Sequence, residues 1–385
     1  MNEVNNIPEG WVETTLEAVA KIKYGKDHKH LKDGNIHCLG SGGFMRKVDQ
    51  ILYDKPSVLI PRKGTISNLF FIEQPFWTVD TLFYTKIDES KIIPKYLYFK
   101  LKTINLENLN VGSAVPSLTT VVLNQLPIDI PKNINEQKSI AAILTSFDDK
   151  IELLQKQNKT LEELAQTLFK EWFGKYKVGD ELPDGWGGGK LSEFGKIICG
   201  KTPSKSNEDY FGNDIPFIKI PDMHNKVFIL ETTDNLSIEG AKSQNNKMLP
   251  KNSICISCIA TVGLVSITTK KSQTNQQINS IIPNENYFRE FLYFTLTKMK
   301  NYLNDLGSGG TATLNVNTST FSNIELVIPK EDIIKDFHKL SNPIFEKVLQ
   351  NNTQIQTLTK TRDELLPKLM SGEIRVKKQF FENFE

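Results

Sequence analysis

The chain lacks a strong net charge and a long apolar run. Its 385 residues include 47 basic and 45 acidic side chains, which leave a formal net charge of +2. That balance excludes a histone-like nucleic-acid binder, which would be strongly basic, and allows only local basic patches or a partner that supplies the charge. The longest weakly apolar stretch, residues 253–267, contains repeated Ser and Thr and is too short to span a bilayer. Residues 1–10 contain no apolar signal core. We therefore expect a cytoplasmic protein that does not associate with a membrane.

Cysteine is also scarce, with Cys38, Cys199, Cys255 and Cys258 as the only four. Cys255 and Cys258 have the spacing of a metal or redox pair, but no second pair and no nearby His completes a zinc site. Their surroundings resemble a buried strand, on which residues three apart point to opposite faces. The pattern therefore predicts two ordinary strand cysteines.

Recognisable catalytic and cofactor motifs are missing as well. Residues 307–312 have the glycine spacing of a dinucleotide loop, but they follow a helix-like stretch instead of a strand, and residues 39–44 are an equally weak match. A Walker A motif and the motif of amino-methyltransferases are both absent. His28 and His30 could bind a metal, but their basic loop favours a solvated or phosphate-facing role. We predict a chain that binds no metal or cofactor and is not itself an enzyme.

An internal duplication is what the sequence does contain. Residues 7–26 recur as residues 182–201 at an offset of 175, and later matches follow at offsets of 196 and 198. A repeat of this length predicts two tandem domains instead of a solenoid. The second copy carries about twenty extra residues, mostly before Ser253, and loops absorb such insertions. Each copy shows short β-like runs and one helical stretch, at residues 95–103 and 287–303, so the fold class is α+β with two mixed α/β domains.

A long helical pattern follows each copy. Apolar residues recur at alternating steps of three and four from Ile140 to Trp172, and again from Val348 to Leu369. Gly174 and Gly372 should end the two helices, while Asn342-Pro343 suggests a restart and Pro367 a kink. We expect the two apolar seams to pack on each other or on a partner; the alternative is that each helix packs on its own domain. The predicted helix–helix residues are Leu144, Phe147, Ile151, Leu154, Asn158, Leu161, Leu168, Val348, Ile355, Leu358, Leu365 and Leu369.

Polar and basic loops occur at matched places in the two copies. Their Gly, Ser, Thr, Asn and Lys residues can donate to phosphates, and Arg, Asn and Gln can read base edges. The alternative is that these loops are solvated turns. The predicted DNA-binding residues are Lys26, His28, Lys29, His30, Arg62, Lys63, Thr65, Ser113, Ser117 and Thr119 in the first copy, and Lys201, Thr202, Ser204, Lys205, Asn275, Gln276, Thr311, Thr313 and Asn315 in the second.

Several motifs recur at matched places in the two copies or stand out in the helical segments. They are the Pro-x-Gly-Trp openings at 8–11 and 183–186, the loop 200–204, and the helix motifs at 135–144, 147–153, 157–165 and 362–374. With the order of the segments, these motifs resemble the specificity subunit of a type I restriction-modification enzyme, over residues 7–376. The helices are most similar to those of the type IC branch. Two departures are the run Gly187–Gly189 and the loop Lys26–His30, which lacks the Thr-Pro of the second copy.

The resemblance implies a domain plan and a symmetry. Residues 1–133 would form the first target-recognition domain, 134–178 the central conserved helix, 179–330 the second recognition domain, 331–376 the C-terminal conserved helix and 377–385 a tail. The two helices would pack as an antiparallel coiled coil, and the whole chain would be pseudo-twofold symmetric. Half-sites about 10 bp apart would then meet the same face of the duplex.

The resemblance also implies function and partners. Each recognition domain would read one half of a bipartite site in double-stranded DNA, and the helices would set the spacer. The two half-sites should differ because the loops differ. Two methyltransferase subunits would bring S-adenosylmethionine for adenine N6 methylation, and motor-nuclease restriction subunits would use ATP and Mg²⁺. Two alternatives remain open at this point: a stand-alone DNA-modifying enzyme with an unrecognised site, and a protein-binding scaffold that does not bind DNA.

Overall fold

The computed structural model describes residues 7–112, 115–307 and 315–376. The described residues divide into two compact units: those within 7–151 and 357–376 form the first, and those within 152–356 form the second. Both divisions fall inside long helices, so each unit contains part of each helix. Across the described ranges, no helix is long and apolar enough to cross a membrane.

The first unit is a mixture of short strands and helices, as the sequence predicts. Its main sheet has the strand order β2-β8-β5-β6, a second sheet has the order β4-β3-β7, and β1 pairs with β9. The elements are β1 (Trp11–Thr15), α1 (Leu16–Val19), β2 (Ala20–Tyr24), β3 (Ile36–Gly40), β4 (Gly43–Val48), β5 (Ser57–Pro61), β6 (Phe70–Ile72), β7 (Phe76–Thr78), β8 (Leu82–Ile87), α2 (Pro94–Lys102), α3 (Thr120–Asn124) and β9 (Pro127–Pro131).

The core of the first unit forms where the main sheet meets the helices. Val58 and Ile60 of β5 are fully buried and pack with Tyr96 of α2. The same cluster includes Leu144 and Leu369, which belong to the two long helices. Burial of apolar surface on one face of β5 therefore joins the main sheet to the helical part of this unit.

Two long helices follow the two copies. Helix α4 runs over Ile134–Phe173 and helix α10 over Glu331–Ser371. Gly174 and Gly372 directly follow the helices, as predicted, and Gly372 has a φ of +74°, the left-handed conformation common after a helix end. The expected restart at Asn342-Pro343 is wrong, because α10 is continuous there. The buried Phe337 and Phe345 on either side anchor α10 in the core and offset the missing N–H of the proline.

The second unit repeats the architecture of the first. Between α4 and α10 lie β10 (Gly187–Lys190), β11 (Gly195–Cys199), β12 (Phe211–Gly212), β13 (Ile215–Ile218), α5 (Ile220–Met223), β14 (Phe228–Ile229), β15 (Asp234–Leu236), α6 (Ile238–Lys242), β16 (Ile254–Ser257), β17 (Val265–Thr268), β18 (Gln273–Thr274), β19 (Ile278–Pro283), α7 (Arg289–Lys298), α8 (Lys300–Gly307), α9 (Thr318–Ser322) and β20 (Glu325–Ile328). Short 3-10 helices complete the chain at Leu106–Leu109, Leu191–Glu193, Glu208–Tyr210, Asn245–Lys247 and Asn286–Phe288.

The sheets of the two units correspond strand by strand. The order β11-β19-β16-β17 repeats β2-β8-β5-β6, the order β15-β13-β18 repeats β4-β3-β7, and β10 pairs with β20 as β1 does with β9. Strand β14 is an addition that pairs in parallel with β17. It belongs to the extra residues of the second copy, which the sequence places before Ser253.

Within each unit the segments of α4 and α10 run antiparallel. In the first unit, Arg362 Nη1 donates to Asp148 Oδ1 at 2.6 Å and the guanidinium of Arg375 lies 2.8 Å from Glu136 Oε1. In the second, Asn351 donates to Asn158 at 2.9 Å and the Phe173 and Phe337 rings lie 5.1 Å apart. A coiled coil along the full length of both helices, and the pseudo-twofold of the whole chain, stay predictions.

Candidate nucleic-acid interface

Backbone hydrogen bonds bring the predicted loops of the first unit together at one end of its main sheet. The N–H of Lys26 donates to Thr78 O at 2.8 Å, and that of Arg62 donates to Thr81 O at 2.8 Å. Lys63 forms an isolated bridge with Ser117. The loops after β2 and β5 and the loop before α3 therefore form one continuous surface, which we call the first loop cluster.

The first loop cluster is basic. Lys26, Lys29 and Lys63 are exposed, whereas Arg62 is half-buried. The Arg62 guanidinium lies 5.3 Å from the centre of the Tyr24 ring, and its Nη1 donates to Asp80 O at 3.3 Å. Stacking and a single hydrogen bond leave most of the guanidinium donors available to a ligand.

The other predicted residues of the first copy differ in their surroundings. His30 and Thr65 are exposed, while His28 and Ser117 are half-buried. Thr119 accepts a hydrogen bond from Val122 N at 3.4 Å as the N-cap of α3, which gives it a structural role. Ser113 lies outside the described residues.

The loops of the second unit converge in the same way. The N–H of Lys201 donates to Thr274 O at 3.0 Å, and that of Cys258 donates to Gln277 O at 2.8 Å. Asn315 forms an isolated bridge with Ile259. These loops form the second loop cluster.

The two clusters share a frame of backbone hydrogen bonds at the offsets found in the sequence. The bond from Lys26 N to Thr78 O corresponds to the bond from Lys201 N to Thr274 O. The bond from Arg62 N to Thr81 O corresponds to the bond from Cys258 N to Gln277 O. The bond from Leu118 N to Arg62 O, 2.9 Å long, becomes one from Val316 N to Cys258 O, also 2.9 Å. The bridge between Lys63 and Ser117 becomes the bridge between Ile259 and Asn315. The duplication is therefore preserved in the hydrogen bonds that hold the loop ends.

Side chains of the second cluster are mostly neutral. Lys201, Ser204, Lys205 and Asn315 are exposed, and Thr311 and Thr313 lie outside the described residues. The Thr202 hydroxyl donates to Gln276 Oε1 at 2.6 Å, which leaves the Gln276 amide N–H₂ free of intramolecular partners among the described contacts. Asn275 is 8% exposed, and its amide donates to Gln277 Oε1 at 2.9 Å, so its side chain stabilises the loop.

Equivalent positions of the frame carry different chemistry. Arg62 and Lys63 of the first cluster correspond to Cys258 and Ile259 of the second. The exposed Tyr24 corresponds to Cys199, whose thiol contacts Gln276 O at 3.9 Å. One cluster is therefore cationic and aromatic, while the other presents amide and hydroxyl groups.

The predicted helix–helix residues fall into two groups. Those that are buried are Leu144, Ile151, Leu154, Asn158, Val348 and Leu369; those that are half-buried are Phe147, Leu161, Leu168, Ile355, Leu358 and Leu365. Near the end of α4, Phe169 and Phe173 are more deeply buried than Leu168. A straight helix has 3.6 residues per turn, so its buried face drifts away from a strict heptad pattern.

The predicted divergence of the Cys255 and Cys258 thiols is confirmed, although Cys258 lies one residue beyond the end of β16. Cys255 packs in one apolar cluster of the second unit and Cys258 in another, on opposite sides of the sheet. Burial raises the pKa of Cys255 to about 12 and that of Cys258 to about 11, so both thiols stay protonated at neutral pH. Within the described ranges, no group of three or more His, Cys, Asp or Glu side chains is placed to hold a metal ion.

Two exposed aromatic residues near the first loop cluster are not among the residues that the sequence predicts for the site. Tyr24 is 51% exposed and Phe44 is 61% exposed. Phe44 follows Gly43 in the segment 39–44, which matches a dinucleotide loop only weakly. Its only sequence signal is an aromatic residue directly after a glycine turn.

Comparison with known proteins assigns the family. Residues 8–163 and 183–361 match the type I restriction modification DNA specificity domain. The chain belongs to that family. The HindI specificity subunit of Haemophilus influenzae is 45% identical over 328 residues, which are 67% of this chain and 71% of that protein. The MjaIX specificity subunit of Methanocaldococcus jannaschii is 30% identical over 350 residues, 84% of this chain and 79% of that one.

A solved structure agrees in fold. The type I restriction-modification S subunit from M. genitalium aligns with a TM-score of 0.70 and 17% identity, covering 96% of this chain and 98% of that chain. The prediction of a DNA sequence-specificity subunit, distinct from the catalytic subunits, is confirmed by the family. As a specificity subunit, the chain acts in a complex with other subunits and DNA.

Proposed function

We propose that each unit of this specificity subunit reads one half of a bipartite, asymmetric DNA site. The observation that supports this most directly is the shared frame of backbone hydrogen bonds in two loop clusters that carry different side chains. A repeated frame presents both clusters to DNA in the same way, and different side chains recognise different bases. The two half-sites therefore differ in sequence.

The chemistry of each cluster favours a particular division of contacts. In the first cluster, Lys26, Lys29 and Lys63 contact phosphates, and the Arg62 guanidinium reads a base edge, most favourably O6 and N7 of a guanine. In the second, Lys201 contacts phosphate and the Gln276 amide reads a base edge, most favourably that of an adenine.

We also propose a role for the long helices. Helices α4 and α10, of 40 and 41 residues, set the spacer between the half-sites and dock two adenine-N6 methyltransferase subunits. Those subunits bring S-adenosylmethionine, and motor-nuclease subunits with ATP and Mg²⁺ join for restriction. The small net charge of +2 supports a shared clamp in which partners supply part of the positive surface.

The test compares two matched triple variants in the assembled methyltransferase. One replaces Lys201, Thr202 and Ser204 by Ala; the other replaces Lys26, Lys29 and Arg62. Sequencing of methylated genomic DNA from cells that carry each variant reports how strictly every position is read. We expect each triple variant to relax one half-site and leave the other unchanged. Equal loss at both half-sites, by a variant that unfolds at the wild-type temperature, would contradict separate readers.

A second assay separates this proposal from a stand-alone DNA-modifying enzyme. The purified chain is incubated with DNA, Mg²⁺ and S-adenosylmethionine without partner subunits. We expect no methylation and no cleavage, and activity on adding the methyltransferase subunits. Turnover by the chain alone would favour the stand-alone enzyme, and an assembled complex without DNA binding would favour a scaffold.

A further inference from the structure

The hairpin formed by β3 and β4 exposes two large apolar side chains at its tip. Phe44 is 61% exposed and Met45 is 49% exposed, both at the start of β4. Leaving them in water is unfavourable, and exposed apolar side chains grouped beside polar residues mark interaction sites.

The hairpin tip is joined to the first loop cluster. Leu39, the last residue of β3 but one, accepts a hydrogen bond from Val79 N at 3.0 Å, next to the Thr78 that binds Lys26. A Cβ on Gly64 would lie 3.8 Å from Ser41 Oγ at the hairpin turn. The tip and the cationic loops are therefore parts of one surface.

Arg46 of the same hairpin holds the basic loop. Its Nη2 donates to Leu31 O at 2.6 Å and to His28 O at 3.1 Å. Lys26 and Lys29 on that loop thus keep a defined position relative to β4. Asp27 is also exposed there, but cations predominate once Arg62 and Lys63 are included.

The Phe44 ring is held in place from behind. It meets the His37 ring edge-on, with 5.2 Å between the ring centres. Gly43 precedes it with a φ of +102°, and a Cβ there would lie 3.6 Å from the Phe70 ring. Among the described residues of this unit, the hairpin therefore presents an aromatic ring that is largely exposed.

The connection in the second unit that corresponds to the β3–β4 hairpin tip has a different structure. Its corresponding strands, β13 and β15, are joined by a longer connection that contains α5 and β14. Met223 and Phe228 of that connection are 1% and 2% exposed, because β14 adds to the main sheet. An exposed apolar tip is therefore a property of the first unit alone among the described residues.

We propose that Phe44, with Met45 beside it, is an apolar wedge that enters the base stack of the half-site read by the first unit. This inference rests on the proposed function of that unit. The surrounding cations suit a polyanionic partner, and an aromatic ring suits the flat faces of bases, so double-stranded DNA satisfies both parts of the surface. Insertion of Phe or Met between base pairs unstacks one step and kinks the duplex. Apart from its target adenine, which a methyltransferase subunit flips out of the stack, the half-site read by the second unit stays stacked.

The experiment uses the complete methyltransferase complex and DNA duplexes that contain the site that this complex methylates. 2-Aminopurine, which fluoresces when unstacked, replaces one base at a time along both half-sites. Variants are Phe44→Ala, Phe44→Trp, which keeps an aromatic wedge, and the control Ile51→Ala. Ile51 is 52% exposed in the same unit, three residues beyond β4, and belongs to neither cluster.

The target adenines are left unsubstituted, because the methyltransferase subunits flip them out of the stack in both half-sites. At the remaining positions we expect wild-type protein to raise the fluorescence at one step, in one half-site only. Phe44→Ala should abolish that signal and weaken DNA binding about tenfold or more, as loss of a stacked aromatic does. Phe44→Trp should preserve both, and Ile51→Ala should change neither. Thermal unfolding of Phe44→Ala should match wild type, since an exposed ring contributes little to the core.

Three outcomes would overturn the wedge. If Phe44→Ala leaves fluorescence and affinity unchanged while methylation stays site-specific, the wedge is wrong and the proposed function stands. If Phe44→Ala instead weakens binding of the methyltransferase subunits with DNA stacking unaltered, the tip is a protein-docking surface. If the wild-type complex shows no site-specific methylation, the proposed function fails, and the wedge fails with it.

Discussion

Asn351 donates a hydrogen bond from its side-chain amide to Asn158 Oδ1, 2.9 Å away and 193 residues earlier in the chain. The side-chain amide of Asn158 in turn donates a hydrogen bond to Asn352 Oδ1 at 2.6 Å. Both Asn351 and Asn158 are buried, at 0% and 6% exposure, between apolar stretches of α4 and α10. A buried polar pair of this kind selects one helix register at some cost in stability.

We expect Asn158→Leu to destabilise the second unit by about 1–3 kcal/mol, because the buried Asn351 amide then loses its acceptor. The double variant Asn158→Leu with Asn351→Leu should recover most of that loss, since it also removes Asn351 Oδ1, which already lacks a partner. Urea unfolding of the single and double variants measures both effects. Equal destabilisation by the single and double changes would show that the pair is not coupled.

A buried ionic network fastens α7 to α10 in the second unit. Arg289 is 3% exposed, and its Nε donates to Glu290 Oε1 at 2.8 Å. Its Nη1 donates to Glu346 Oε1 at 3.0 Å and its Nη2 to Asn342 Oδ1 at 2.8 Å. Glu290, fully buried, also lies 2.6 Å from His338 Nδ1. Every charge at the centre of this network is paired.

We expect Glu290→Gln to cost about 3–5 kcal/mol, because it leaves the Arg289 charge buried without its main partner. Glu346→Gln is the matched control, since Glu346 contacts the same guanidinium but is 47% exposed, and its loss should cost less than about 1 kcal/mol. Denaturant midpoints of the two variants provide the comparison. Similar costs for both would mean that burial does not decide the strength of this network.

Gly64 and Ala260 occupy equivalent turns of the two loop clusters, with φ values of +89° and +63°. A Cβ on Gly64 would meet no atom closer than 3.8 Å, so Gly64→Ala tests backbone strain alone. We expect it to destabilise the first unit by about 1 kcal/mol. Ala260→Gly should stabilise the second unit by less than about 1 kcal/mol, because relief of strain is partly offset by the entropy of an unfolded glycine. Thermal unfolding of the two variants should therefore shift in opposite directions.

Lys100 is 9% exposed and donates to Met370 O, at the end of α10, at 2.9 Å. Burial lowers its pKa below the usual 10.5, an effect that Asp129 partly opposes. The unfolded chain therefore binds more protons between the two pKa values, and stability rises with pH across that window. We expect the stability of wild type relative to Lys100→Met to increase as pH is raised toward 10.5. A difference that stays constant in urea titrations over this range would contradict the lowered pKa.

Inserting one heptad in α4 near Leu161 and one in α10 near Val348 should lengthen the spacer without altering either half-site. Leu161 and Val348 pack in the same apolar cluster of the second unit. Insertions of equal length in both helices therefore keep the same residues of α4 and α10 opposite each other. Seven residues add about 10 Å of helix, or about three base pairs at roughly 3.4 Å each. Methylome sequencing gives the new spacer, and an unchanged spacer would contradict the proposal that the long helices set its length. Insertion in α4 alone serves as the control that should impair assembly.

Periodic and repeated features were predictable from sequence because they depend on local pattern. The strand at Ser57–Pro61 and the long helices follow from apolar periodicity, and the offsets of 175, 196 and 198 reappear in the paired hydrogen bonds. The split of the expected helix at residues 287–303 into α7 and α8 was not predictable, since the break at Met299 has no proline or glycine to mark it.

Site residues were harder to predict, because the same polar residue types in a loop can either stabilise the loop or bind a ligand. Thr119 became a helix cap and Asn275 a loop brace, although both types can bind DNA. Tyr24 and Phe44 were overlooked because exposure of an aromatic depends on which strands lie beside it, and that is tertiary information. Continuity of α10 through Pro343 likewise depends on long-range packing that a local proline rule does not include.

The frame that holds both loop clusters is made of main-chain N–H and C=O groups. Every residue except proline supplies those groups, whatever its side chain. Replacing Arg62 by Cys, or Cys258 by Arg, should therefore leave the hydrogen bonds of the loop ends intact. On the proposed function, the main chain of these residues would maintain stability and their side chains would select the target. A gene of this design would then acquire a new DNA target by point substitutions at the loops without loss of the fold.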